Sequence, residues 1–306
     1  MFIMKYVKIG IVAEYNPFHN GHIYQLQLIK QMFPNCKIFV AMSHKYSQRG
    51  DYICMSWYKR KKIAKKYGVN KFIKLKINIS AQAAHIFARE SVLKLAKKGI
   101  NYLVFGSESG DAKNLLKIAN ILKNNKPEYD QLVKKYLKQK GLSFPRATNL
   151  ALQDLTGSNI SMPNDILGIE YVKTIVNENL PITPIAIKRT IDFHSEQTTN
   201  NFASASKIRQ MVAKNEDISP FTPVKLKDIS NRQIQQTYPK FQRIIKNTPA
   251  QTLAGYKMIS EGMENLFKKQ INSPDYDTFI ENCVSRRYTA SRIKRAYLFV
   301  LKRIKK

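Results

Sequence analysis

The chain has 306 residues, with 52 Lys or Arg against 21 Asp or Glu, a formal net charge of +31 and a sequence pI of 10.0. Its 43% hydrophobic and 10% aromatic content is enough to fill a core and excludes general disorder, and the length predicts about two domains. No apolar run approaches the roughly 20 residues that span a bilayer, the N-terminal stretch reads as no signal peptide because Lys5, Lys8 and Glu14 interrupt it, and Cys36, Cys54 and Cys283 form no CxxC pair, so a disulfide framework and a cysteine zinc site are not expected and the chain is read as cytoplasmic.

Residues 6–13 are short, apolar and β-branched, which predicts a buried strand. A turn over 14–18 follows, and Asn20 is expected to cap a helix with Ile23, Leu26 and Ile29 on one face. Residues 36–42 read as a second strand, 55–67 as a basic helix stopped by Gly68, and 72–75 as a short third strand. A helix over 83–98 ends at Gly99, and a fourth strand over 102–105 closes at Gly106. Strand and helix alternate, so the expected fold is α/β, a Rossmann-like doubly wound parallel sheet. The polar segment 111–150 reads as helical with a loop. Asn164 is expected to cap a helix through Ile175, residues 184–188 to form another strand, and Ser204 to open a short helix. Beyond Pro220 the pattern changes to amphipathic helices. This divides the chain into an α/β domain over 1–219 and a basic helical domain over 220–306.

Gly10 to His22, GIVAEYNPFHNGH, is the most informative stretch. His19-Asn20-Gly21-His22 lies between a strand and a helix N-terminus, where orphan N–H groups and the helix dipole favour an anion. Gly21 permits close approach of backbone to ligand. The imidazoles of His19 and His22, three positions apart, share one side of the first turn and can both donate to a phosphate oxygen. Pro17 restricts Asn16 and so fixes the approach of the loop. HxxH is not the i, i+4 pair of a zinc helix, and no neighbouring Cys or acid completes a ligand set, so no metal site is predicted.

Ser204-Ala205-Ser206-Lys207-Ile208-Arg209 sets two hydroxyls, an ammonium and a guanidinium at a helix start, a second anion site. The alternative is a plain Ser204 cap with Arg209 as a solvated charge. Lys188 and Arg189, at the end of a strand, are a third contributor. His44 and His194 lie near these motifs and either touch phosphate or RNA or are plain loop histidines, whereas His85, in an apolar helix, reads as structural.

The net charge should attract polyanions: nucleic acid, an anionic membrane surface or a phosphorylated substrate. The excess of Lys over Arg, with abundant Asn and Ile, also fits the codon bias of an AT-rich genome. Residues 286–306 hold nine Lys or Arg and no acid. Arg286, Arg287, Tyr288, Arg292, Lys294 and Arg295 in this run are the candidate RNA contacts, against the alternative of a solvated amphipathic helix.

HxGH followed by (S/T)-x-(S/T)-x-x-R is the paired signature of the HIGH-type nucleotidyltransferase superfamily. More narrowly, the chain resembles the tRNA(Met) cytidine acetate ligase family through GIVAEYNPFHNGH, QRG (48–50), FGSE (105–108), SFP (143–145), PNDILGIEYVK (163–173), IKR (187–189), ASASKIR (203–209) and RYTASRIKR (287–295). The resemblance implies a nucleotidyltransferase fold with a helical C-terminal region. It implies an ATP-dependent ligase that forms acetyl-adenylate and acetylates N4 of the wobble cytidine of elongator tRNA(Met). ATP is then a substrate, acetate and tRNA are partners, and Mg²⁺ travels with the phosphates. The implied ATP contacts are Val12, Ala13, Glu14, Tyr15, Asn16, Pro17, Phe18, His19, Asn20, Gly21 and His22, with Gly106, Asn164, Lys188 and Arg189. Three segments depart from the family pattern: Ser43-His44-Lys45, Asp165 in place of a second Asn, and Lys74-Leu75-Lys76 in place of an acidic triplet. Rival readings are a small-molecule adenylyltransferase, which would not need the basic helical C-terminus, and a non-catalytic tRNA-binding protein with a vestigial nucleotide site.

Overall fold

β-Branched and aromatic residues alternate between two covered faces in the central strands of this protein, and that pattern builds its sheet. The computed structural model describes residues 6–139, 141–189 and 201–306; His194 lies outside them. The strands are β1 (Lys8–Ala13), β2 (Lys37–Ser43), β3 (Val69–Leu75), β4 (Tyr102–Ser107) and β5 (Thr183–Lys188). They pair in the order β3-β2-β1-β4-β5, every neighbour parallel. The expected doubly wound α/β sheet is therefore present. Strand β3 begins three residues earlier than its sequence pattern suggests, because Asn70 and Lys71 are polar but still pair with β2.

The helices of this half are α1 (Asn20–Met32), α2 (Trp57–Lys66), the one-turn α3 (Ile77–Ser80), α4 (Ala84–Ala96), α5 (Ala112–Asn124), α6 (Lys126–Gln139), α7 (Phe144–Thr156), α8 (Pro163–Asn177) and α9 (Ala205–Ala213). One face of the sheet, with Phe39, Ala41, Leu103 and Phe105, packs under α4, α5 and α8. The other, with Ile9, Ile11, Val40 and Val104, packs against α1 and α2. Burial on both faces is what a parallel sheet requires. The polar segment 111–150 resolves into α5, α6 and most of α7. Its apolar residues Leu115, Ile118, Ala119, Leu122 and Ala147 recur at helical spacing and are buried.

The remainder is α10 (Tyr238–Asn247), α11 (Ala250–Ala254), α12 (Met263–Gln270), α13 (Tyr276–Cys283) and α14 (Ala290–Leu301). They surround an aromatic core in which Phe241, Phe267, Phe279 and Tyr297 are fully buried. The Phe241 and Tyr297 rings stack 3.9 Å apart. Residues 220–230, on the far side of the expected boundary at 219/220, are held by the sheet half. Thr222 Oγ1 donates to Phe18 O at 2.5 Å, Asn20 N–H to Phe221 O at 2.9 Å, and Ser230 N–H to Cys54 O at 2.7 Å. The two halves also meet at the 47–52 turn. Gly50 has φ +94°, and a Cβ there would lie 3.0 Å from the Lys294 carbonyl oxygen, so the turn rests directly on α14.

Candidate active site

In this strand order the chain runs from β1 outward to β3, then returns to place β4 on the other side of β1. The crevice between the carboxyl ends of β1 and β4 is a topological switch point, where open α/β sheets bind ligands. A cleft of about 1720 Å³ opens there. It gathers segments far apart in sequence: Val12–Asn16 and the HxGH turn, Gly106, Asn164, Lys188 and Arg189, and Ser204, Ser206 and Arg209.

The HxGH turn is built by its own imidazoles. His19, not Asn20, is the N-cap of α1, with extended backbone at φ −146° and ψ 173°. His19 Nδ1 accepts the Gly21 N–H at 3.1 Å, and His22 Nδ1 accepts the His19 N–H at 3.1 Å. Each ring thereby does the work of a capping-box side chain. An Nδ1 that accepts carries no proton, so both neutral rings hold theirs on Nε2. Burial, then the charges of Arg189 and Arg209, lower the His19 pKa to about 3. Burial, then His19 and Arg189, hold His22 well below its ordinary value. The pair is therefore a set of neutral N–H donors, with ring centroids 3.8 Å apart.

Tyr15 backs the pair at φ 51°, a left-handed conformation that a bulky residue adopts only where its surroundings impose it. Its buried ring packs edge-on against His22 at 4.7 Å and Phe18 at 4.9 Å. Asn20 turns away: its Nδ2 donates to Asn201 O at 2.7 Å and Pro220 O at 2.9 Å, fastening the 220–230 strap. Phe18 is fully buried in the core, and Pro17 follows a cis peptide bond. Neither these three nor Lys207 lines the cleft.

Arg209 reaches from α9 to the β1–α1 loop. Its Nη1 donates to Asn16 O at 2.6 Å and its Nη2 to Ser206 Oγ at 3.0 Å. It is not a solvated surface charge. Ser204 is the N-cap of α9, its Oγ accepting from Lys207 N–H at 3.1 Å, so capping and cleft-lining coincide in one residue. Arg189 N–H donates to Ser107 O at 3.0 Å, which continues the β4–β5 pairing and sets its side chain beside Gly106.

Asn164 does not cap α8. Met162 holds that position and Pro163 follows at the first helical residue. The Glu108 carboxylate accepts from Asn164 N–H (3.1 Å), Asn164 Nδ2 (2.6 Å) and Asp165 N–H (3.0 Å). Asp165, in place of the family Asn, is buried and accepts from Ser107 Oγ and from Ser109 N–H. Together these carboxylates clamp the end of β4 to α8.

Arg60 was invisible in sequence, one cation in the run WYKRKK. It is fully buried, and it donates to Glu14 O (2.5 Å), Ser43 O (2.8 Å) and His44 O, drawing together the ends of β1 and β2. Its Glu14 neighbour accepts the Gln48 N–H at 2.6 Å, and burial raises the Glu14 pKa. His44 packs against Trp57 outside the cleft, whereas His85, expected to be structural, lines it.

The expected RNA contacts separate by burial. Arg286 and Arg287 are exposed. Tyr288 is in the helical core with its hydroxyl donating to Glu261 O at 2.5 Å, so its ring has no free face for a base. Arg292 pairs with Ser260 and Glu261, while Lys294 and the buried Arg295 line the cleft.

The HIGH Nucleotidyl Transferase family model matches residues 4–306. A tRNA(Met) cytidine acetate ligase of Mycoplasmopsis synoviae is 55% identical over the whole of both chains. Another, from Mycoplasma mobile, is 50% identical over 97% of this chain and 99% of its own length. A crystal structure of apo Thermotoga maritima TmcAL superposes with a TM-score of 0.89 at 28% identity, covering 98% of this chain and 76% of the other. The same protein bound with alpha-thio ATP superposes with a TM-score of 0.86. Matched along its full length in sequence and carrying the switch-point histidine pair, the chain belongs to the HIGH nucleotidyltransferases and, among them, to the tRNA(Met) cytidine acetate ligase family.

Proposed function

We propose that this protein joins acetate to a tRNA cytidine at the cost of ATP, through an acetyl-adenylate. The carrying observation is the His19–His22 pair, two neutral Nε2–H donors fixed by backbone at the mouth of the switch-point crevice. An acetate oxygen attacks the α-phosphorus of ATP, the bond to the bridging oxygen of pyrophosphate breaks, and acetyl-AMP remains. The two Nε2–H groups meet the α-phosphate oxygens as their charge grows, and preorganised donors of this kind act most strongly where water is excluded. Arg189, Arg209, Ser204 and Ser206 take the pyrophosphate charge, with Lys188 at the rim. In this reading Mg²⁺ travels with the phosphates.

In the second step the exocyclic N4 of cytidine attacks the acyl carbon, the bond from that carbon to the phosphate oxygen breaks, AMP leaves and N4 loses a proton. The nitrogen is a weak nucleophile because its lone pair is delocalised, so positioning carries much of the catalysis. The wobble cytidine of elongator tRNA(Met) is the acceptor in this reading. Residues 1–219 serve ATP, and the helical part from 220 presents basic surface to the RNA. Among the described residues no helix is long and apolar enough to cross a membrane, and a reaction that consumes ATP and tRNA belongs in the cytoplasm.

The test is incubation with ATP and labelled acetate, with and without unmodified tRNA(Met) transcript. Label entering the tRNA, and lost in His22→Ala, supports this reading. Pyrophosphate exchange that needs some other acid, with no label in RNA, overturns it.

A further inference from the structure

The cleft continues beyond the nucleotide floor to a cluster that the ATP contacts leave unused. A hydrogen-bonded chain marks the way: Glu14 accepts from Gln48 N–H, and Gln48 Nε2 donates to Gln82 O at 2.7 Å, three residues before His85. His85 stands in the first turn of α4, with its ring 5.3 Å from that of Phe144, the first residue of α7. Phe144 is 42% exposed, and both rings line the cleft.

Arg295 of α14 lines the same cleft from the helical half. It is only 7% exposed, yet its Nε has no hydrogen-bond partner, and its side chain makes no hydrogen bond or ion pair among the described residues. Burial lowers its pKa to about 10, with the Arg292 charge adding to the effect. A buried guanidinium without a partner is costly unless a ligand completes it. His85 and Phe144 line that cleft too, and after burial, and against Glu170, the charges of Lys173 and Arg295 hold the His85 pKa below its usual value. The cleft, at about 1720 Å³, exceeds the roughly 300–1,000 Å³ of a single small-molecule pocket, which leaves room for a second ligand beside ATP.

We propose that Phe144, His85 and Arg295 form the seat of the acceptor base, an unstacked pyrimidine nucleotide whose ring lies on the Phe144–His85 pair while the Arg295 fork donates to its O2 and N3. This inference rests on the acetyl-transfer reading above. Cytosine presents O2 and N3 as adjacent acceptors, a match for a planar two-pronged donor, whereas uracil offers an N3–H donor there. A base held by that edge keeps its exocyclic amino group beside the acyl-adenylate. The ring face supplies the stacking that replaces what the base loses on leaving its neighbours.

The full chain is assayed for acetate-dependent ATP–pyrophosphate exchange without RNA, and for KM and binding of anticodon stem-loops carrying cytidine or uridine at the acceptor position. Phe144→Ala is expected to raise the stem-loop KM by about tenfold or more, with exchange within about twofold of the parent, as loss of one base-stacking contact predicts. Arg295→Gln is expected to erase the binding preference for cytidine over uridine. An unchanged KM and preference, or a parallel fall in exchange and transfer, overturns the seat. If Arg295→Gln fails to fold, the surface variant Phe144→Ala decides. Absence of acetate-dependent exchange in the parent sinks the acetate reading alone, since a cytidine preference lost in the variants would still support the seat.

Discussion

The backbone N–H of His19 donates to Nδ1 of His22 at 3.1 Å, so the first residue of the motif fixes the tautomer of the last. The motif is a self-assembled turn that leaves the ring protons on the two Nε2 atoms. His22→Ala should reduce acetate-dependent pyrophosphate exchange by about two orders of magnitude, the usual cost of one preorganised donor. His22→Asn, which can keep both an acceptor and a donor, should retain more activity than His22→Ala.

The same buried pair fixes a pH dependence. The folded-state pKa of His19, about 3, lies below the unfolded value near 6.5, and that of His22 is also depressed. Below pH 6.5 the unfolded chain takes up protons that these folded rings refuse. The His19 contribution to stability is therefore complete above pH 6.5 and is lost as pH falls toward 3, and that of His22 is lost in the same direction. Thermal unfolding between pH 7 and pH 4 should accordingly show a shallower acid loss in the double variant His19→Asn/His22→Asn than in the parent.

Gly21 has a particular reason to lack a side chain. A Cβ there would lie 2.9 Å from Cε1 and 3.0 Å from Nδ1 of His19, so Gly21→Ala must displace the capping ring. Exchange activity should fall at least about tenfold, since small misplacements of a catalytic group carry large rate costs. The far-ultraviolet circular dichroism spectrum should be unchanged.

Arg209 holds the β1–α1 loop through Asn16 O and also faces the cleft. Arg209→Lys keeps the charge but loses the two-pronged geometry. It should raise the KM for ATP, and Arg209→Ala should lower kcat as well, because it frees the loop. Steady-state exchange kinetics separate the two effects.

Arg60→Met should be a stability variant. It removes the donor shared by three carbonyls at the ends of β1 and β2, at a cost of about 1–3 kcal/mol for each buried acceptor left unsatisfied. Urea unfolding measures it. A loss below about 1 kcal/mol would mean that water replaces the guanidinium readily.

On the helical half, Arg286→Gln/Arg287→Gln should make the dependence of tRNA affinity on salt shallower, by about one in log–log slope for each phosphate contact removed. Tyr288→Phe should leave that slope unchanged, because the ring is in the core and its hydroxyl serves Glu261. Truncation before α14 is not an equivalent test, since it removes Tyr297, Phe299 and the rest of the buried centre of that domain.

Periodicity and punctuation in the sequence were sufficient for the parallel sheet, for the two helix starts that border the cleft and for the basic helical end. Each rests on local chemistry: β-branched runs, a glycine after a histidine, serines before a helix. Sequence could not sort equivalent charges by environment. Arg60 and Arg295 sit among other cations and read like them, yet both are buried, because α2 and α14 each turn one position of a charged run inward. Nor could it show that Glu108 occupies the N-terminus of α8, a contact across 56 residues.

The opening excess of +31 is divided by the fold and not by the sequence. Local residue order by itself determined that a self-capped histidine turn exists and where it lies, since His19, Gly21 and His22 complete it among themselves. Only the tertiary structure decided which cations face the cleft, which face solvent and which hold the chain together. Burial and partner geometry depend on elements that meet only after the sheet has formed.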